Sequence, residues 1–394
     1  MKRLLKVSFD ALIFSFIPIL SWFMLGLLVD ENLVNVFSLT YPIQFIWAMM
    51  RSIFGVGPNI YKEKYNDNNV VMSSMIMGII IGFLVFGFIA LNIDLYISFM
   101  NMDINIYHNF ALYSVIQLYI QLIFAFILQK LYYEDKNDLA NKYTISLNLF
   151  NFIVLVICSL IFKNQICIIV ITLLLLLLFV IFIFIREINK FKFSFHLLDF
   201  IKYDSVDVCN NLFFFIIFMF GLSNAASYGV EYMAALNFVA LITDTQWDAF
   251  DSISTVAKID IARGNFNYKE HRNNAYKLLV ILFVSVLLLF GIMYPLYELN
   301  LILVLIYFLF EMVNFFIYPI YRIKTCFLQL EYSCLITTSN KFISSSLRTC
   351  LSFLKTPFCT GIGQVSSSIY QFIIVNFLFY KNYMVDKAGK VVKK

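Results

Sequence analysis

Charge is scarce in this chain. Asp, Glu, Lys and Arg make up 13% of 394 residues, against 61% hydrophobic residues and a mean hydropathy of +0.84. That balance excludes a soluble domain, because apolar runs such as 167–185 and 278–293 are too long and too frequent for one buried core. The seven Cys are scattered, mostly in or beside apolar stretches, with neither paired disulfide spacing nor CxxC spacing, so bulk packing is the role they fit. Only three His occur, at 108, 196 and 271, all in loops or connectors, where none is placed for intramembrane metal binding or acid–base work. No P-loop, GxGD or HExxH pattern is present, which counts against a primary pump and against an intramembrane protease or transferase. No small-residue cleavage site follows the leading MKRLLK, so the first apolar segment reads as retained.

What is present is a series of long apolar segments. Twelve are read, at about 8–29, 34–60, 70–92, 105–129, 143–162, 165–185, 203–223, 230–257, 276–297, 299–321, 333–354 and 362–380. Each is long enough, at 1.5 Å per residue, to cross roughly 30 Å of hydrocarbon. The eleventh is rich in Ser and Thr and holds Lys341 and Arg348, so it is expected inside a helix bundle rather than against lipid. With both termini assigned to the cytoplasm, 24 of the 29 Lys and Arg fall on that side, as the positive-inside rule requires. The net charge of +5 reflects those loops and is no argument for nucleic acid. The class is an all-α polytopic membrane protein in the cell membrane, multi-pass, with both termini cytoplasmic.

The stretch 231–265, EYMAALNFVALITDTQWDAFDSISTVAKIDIARGN, concentrates the unusual chemistry. Asp244, Asp248 and Asp251 follow one another at spacings of four and three, on one helix face, with Asn237 and Thr255 extending the stripe. A carboxylate inside a membrane span is costly and usually faces a wet cavity or a partner. Glu311, in LIYFLFEMVNFFIYP, stands at a depth comparable with Asp244 and shares its helix face with Asn314 and Tyr318. A desolvated carboxylate takes up a proton, and one supported by amides and carbonyls can hold Na⁺. A structural bond to a neighbouring helix is the other role Glu311 and Asp244 could have. Arg51 is the only cation in mid-span in the first half, where snorkelling towards the cytoplasm is the alternative to a gate.

An internal repeat runs through these stretches. FMLGL at 23–27 matches FMFGL at 218–222, and FIWAMMRSIFGV at 45–56 matches TQWDAFDSISTV at 245–256, aligning Trp47 with Trp247. Six spans per repeat give halves of the same orientation, 1–195 and 196–394: two parallel six-helix lobes related by a pseudo-two-fold along the membrane normal, with a cytoplasmic connector and a basic tail. The offset aligns Arg51 with Asp251, so an inner gate is expected between Arg51 and Asp251 or Asp248 in the cavity flanked by Trp47 and Trp247.

With this plan the sequence resembles the multidrug and toxic compound extrusion (MATE) family. MAALNFVALITDTQWD is similar to the start of that family's eighth helix, Met219–Ala226 to the glycine-containing end of its seventh, and LYYEDKND to its turn after the fourth. The resemblance implies no enzyme and no cofactor, but a secondary active exporter, an antiporter of organic, often cationic, small molecules driven by Na⁺ or H⁺. The coupling cation is expected in the carboxy-terminal half at Asp244 and Glu311, with Asn237, Asn314 and the Asn210–Asn211 pair of span seven around it. Partners are then a small-molecule substrate and the lipid bilayer, with a monomeric chain. A related flippase of lipid-linked oligosaccharides is the nearest alternative, and would be expected to line its cavity with several Arg or Lys. A membrane-embedded transferase is the alternative from another class.

Overall fold

A computed structural model describes the chain apart from Glu31, Asn32, Asn101, Lys163, Asn189, Lys190, Tyr297 and Glu298, and apart from the side chains of residues 34, 35, 37, 38, 219, 221–226, 230, 233, 237, 241, 245 and 296. A helix covers the core of each of the twelve apolar segments. Among the described residues, eight helices are long and apolar enough to cross a membrane by length and composition. The chain packs as two compact units, Ile13–Asp204 and Met1–Leu12 with Ser205–Lys394. The division on the carboxy-terminal side falls at Asp204, where the backbone leaves helical geometry (φ −127°, ψ 19°) and kinks the helix.

The amino-terminal unit follows α1 (Lys2–Leu28) with α2 (Val34–Arg51), a π-helical turn Ser52–Val56, and α3 (Gly57–Tyr65). Then come α4 (Asn69–Leu91), a short α5 (Ile93–Phe99), α6 (Ile104–Tyr133), α7 (Asn137–Ile161) and α8 (Gln165–Glu187). α6 carries apolar residues on every face, with Gln117, Gln121, Gln129 and Lys130 buried among them, and is the axis, packed by α2, α4, α5 and α8 and buried along most of its length. At Gly57 a β-carbon would stand 2.4 Å from the carbonyl oxygen of Phe200, so only glycine permits that approach. The connector expected along the cytoplasmic surface is fastened to the α3–α4 turn. Ser194 Oγ donates to Asp67 Oδ2 at 2.8 Å, and Lys192 N donates to Asn69 Oδ1 at 2.9 Å. Partial desolvation pushes Asp67 up, but the hydrogen bonds from Ser194 and Asn69 outweigh it and hold the carboxyl below its ordinary range.

The carboxy-terminal unit holds α9 (Leu197–Ser227) from Ser205 onward, α10 (Val230–Ala262), α11 (Tyr268–Met293) and α12 (Leu301–Phe327) with a π-helical end Leu328–Tyr332. α13 (Cys334–Ser352) and α14 (Cys359–Asn382) complete the bundle. α12 is central here, packing on α10, α11 and α14, while α13 packs on α14. The basic tail is a hairpin, β1 (Tyr383–Val385) against β2 (Val391–Lys393), with Tyr383 opposite Lys393. It docks on the start of α11: Tyr268 N donates to Gly389 O at 3.0 Å and Asn267 Nδ2 to Ala388 O at 3.0 Å.

Candidate functional site

Residue spacing lays two polar stripes against each other in the carboxy-terminal unit. On α10, Trp247, Asp251, Ser254 and Lys258 recur at intervals that share a helix face. On α12, Glu311, Asn314, Tyr318 and Arg322 do the same. α10 and α12 pack together, and the stripes meet. Trp247 Nε1 donates to Glu311 Oε2 at 2.9 Å, and Gln364 Nε2 of α14 donates to the same oxygen at 2.9 Å. Gln364 Oε1 accepts from Arg348 Nη2 of α13 at 3.4 Å, and that guanidinium lies 4.6 Å from the ring centre of Phe214 on α9. Asn314 Oδ1 accepts from the Ser368 hydroxyl of α14. The carboxylate expected to bind a cation is thus held by two neutral donors, with one guanidinium a residue further out.

About three turns along α12 a second cluster forms. Arg322 Nε donates to Asp251 Oδ1 at 3.0 Å and Nη2 to Asp207 Oδ1 at 2.7 Å, so one guanidinium joins carboxylates of α10 and α9. Lys258 donates to the other oxygen of Asp207, and the Tyr318 hydroxyl donates to Asp251. The Arg322 and Lys258 side chains are only 7% and 2% exposed. Two cations facing two carboxylates is the arrangement in which buried charge is tolerated, because each ion's desolvation is offset by a bonded partner.

In the amino-terminal unit, α2 presents Trp47 and Arg51 one turn apart. Phe14 stacks on Trp47 with ring centres 5.4 Å apart, and the Arg51 guanidinium lies 5.2 Å from the Trp47 ring centre. The buried Trp47 Nε1 and Arg51 Nε donate to nothing. The π-helical turn Ser52–Val56 begins at the next residue, and such turns recur at functional sites.

No protein-family model matches the chain, and no curated protein does. Solved structures do match. A multidrug resistance MATE family transporter of the MOP superfamily, in an outward-facing conformation, aligns at 14% identity with a TM-score of 0.73, over 96% of this chain and 94% of that one. A MATE in the straight conformation aligns at 15% identity and 0.72, over 96% and 95%. A MOP superfamily transporter from Pyrococcus furiosus Vc1 (DSM3638), whose reversed binding-pocket polarity is said to suggest a different function, aligns at 14% and 0.69, over 96% and 95%. The chain has the MATE transporter fold.

Within this MATE fold the residues drawn from the sequence separate. Trp247, Glu311, Asn314 and Asp251 lie on the two meeting stripes. Asp244 is half-buried and Asp248 exposed, each with interactions of its own, and Asn210 and Asn211 are half-buried on α9 about one turn beyond Asp207. The Asn237 side chain lies outside the described residues. Arg51 and Asp251 belong to different units. Sequence reasoning missed Lys258 and Arg322, assigning both to cytoplasmic loops, whereas α10 runs on to Ala262 and α12 to Phe327 and buries them. The signal was available: Asp251 to Lys258 and Tyr318 to Arg322 keep helical spacing past the apolar runs. Gln364 and Arg348 carried no comparable signal, since their partners come from other helices.

Proposed function

We propose that the chain is a secondary active exporter that moves an organic small molecule out across the cell membrane by alternating access, driven by inward Na⁺ or H⁺. The MATE fold supports transport as the class of function. The observation that carries the coupling is Glu311, a carboxylate in an apolar helix, met by the Trp247 indole and the Gln364 amide rather than by a bonded cation. Such a group can accept a proton or share a Na⁺ with neighbouring amide and carbonyl oxygens, and either event changes the charge inside the unit. Asp244, one turn before Trp247 on α10, is the second carboxylate of the proposed site, with Asn314, Asn210, Asn211 and Asn237 around it. The test is efflux from cells with Na⁺ and pH gradients imposed separately. Glu311→Gln and Asp244→Asn are expected to abolish gradient-driven efflux with folded protein still in the membrane; wild-type efflux in both would remove the proposal.

The flippase reading has one observation in its favour. Arg348 and Lys341 lie half-buried on α13 rather than at its lipid-facing surface, and Arg51 stands in α2, so cations sit inside both units. Movement of a lipid-linked oligosaccharide without response to either gradient would select that reading.

A further inference from the structure

We infer that Trp47 and Arg51 form a subsite for an anionic oxygen group, a phosphate or a carboxylate, on the transported molecule; the link to a transported molecule rests on the transport reading above. Two nitrogen donors stand together with no acceptor: the buried indole N–H of Trp47, a side chain 9% exposed, and the buried Nε of Arg51. Their directions are fixed, because Trp47 is held by Phe14 at 5.4 Å and by the Arg51 guanidinium at 5.2 Å. Among the described residues, neither nitrogen has an acceptor within hydrogen-bonding distance. α2, α4 and α6 contain no Asp or Glu, and Glu187 at the end of α8 already accepts from the Tyr143 hydroxyl at 2.9 Å. The other unit shows what such an indole does when an acceptor is available: Trp247, aligned with Trp47 by the sequence repeat, donates to Glu311 at 2.9 Å. Where one half provides its own carboxylate, the other provides a second donor instead.

A buried guanidinium nitrogen without an acceptor in an apolar helix bundle is costly, and such residues mark ligand paths. A guanidinium beside an N–H donor matches the spread oxygens of a phosphate or carboxylate, and charge-assisted bonds of that kind are the strong ones. The sign is the opposite of the often cationic solute implied by the sequence resemblance. An Arg51 gate to Asp251 is the competing account. It has to take Asp251 from Tyr318 and Arg322, which already bond it.

The test uses the full chain purified in detergent, with inorganic pyrophosphate as the probe and sodium chloride and tetramethylammonium chloride at matched ionic strength as controls. Pyrophosphate should raise the unfolding midpoint saturably, beyond either control. Arg51→Gln should weaken that binding about tenfold and Arg51→Lys less, since a charge-assisted bond is lost or loosened. Trp47→Phe keeps an aromatic ring for the stack and removes the N–H together with the smaller indole ring, so weakening of pyrophosphate binding in a variant that keeps its unfolding midpoint supports the subsite even if Arg51→Gln fails to fold. Repeating the titration in nanodiscs separates sources: competition by phosphatidylglycerol assigns the same site to a headgroup phosphate, and no competition assigns it to a soluble anion. The absence of a shift beyond ionic strength, or a shift that Trp47→Phe and Arg51→Gln leave unchanged, would overturn the inference. So would recovery of transport by the swap Arg51→Asp with Asp251→Arg. Pyrophosphate binding without any solute efflux leaves the anion site standing and removes the transport reading; efflux without an anion effect does the reverse.

Discussion

Arg322 bonds carboxylates from two different helices, and its removal tests whether that cluster is a balanced unit. Arg322→Met leaves Asp251 with the Tyr318 hydroxyl and Asp207 with Lys258. An uncompensated buried carboxylate costs about 3–5 kcal/mol, so the variant should unfold at a markedly lower temperature in detergent. The double variant Arg322→Met with Asp251→Asn removes the stranded charge and should recover part of the loss. Equal losses in the single and double variants would contradict the pairing. At this scale, Glu311 and Asp251 were legible in the sequence because a carboxylate in an apolar run is conspicuous. Arg322 and Lys258 were missed because each stands at the end of an apolar run, and only their helical spacing from Tyr318 and Asp251 shows that the helix continues.

Helical elements followed directly from apolar length, since only a helix satisfies its own backbone in hydrocarbon. The sequence also held the two meeting stripes, but not which helices face each other, because that depends on packing between distant segments. The tail was read only as a basic cytoplasmic tail; its hairpin depends on one turn and on the surface that receives it. Gly389 has φ +89°, and a β-carbon there would stand 2.3 Å from Asn267 Oδ1. Asn267 caps α11 by accepting from Glu270 N, so the crowding falls on a cap already in use. Gly389→Ala should cost roughly 1–2 kcal/mol from the left-handed backbone alone and should loosen the hairpin. Hydrogen exchange should then rise at Tyr268 and across 383–393 with the rest of α11 unchanged. Unaltered protection at Tyr268 would mean that the hairpin does not hold the start of that helix.

For the whole molecule, the proposed transport cycle asks each unit to hold its own shape. The two are built differently: a largely apolar α6 is the axis of one, and charged and amide side chains of α9, α10, α12, α13 and α14 bond one another in the other. That asymmetry fits a coupling ion in the carboxy-terminal unit and a solute contact at α2. The most direct measurement is solute flux in proteoliposomes containing purified wild-type protein or Glu311→Gln, with Na⁺ and pH gradients imposed one at a time and solute counterflow measured without a gradient. The account predicts that one gradient drives the wild type, that Glu311→Gln loses this gradient-driven flux, and that counterflow persists in the variant. Gradient-driven flux of wild-type size in Glu311→Gln would contradict it.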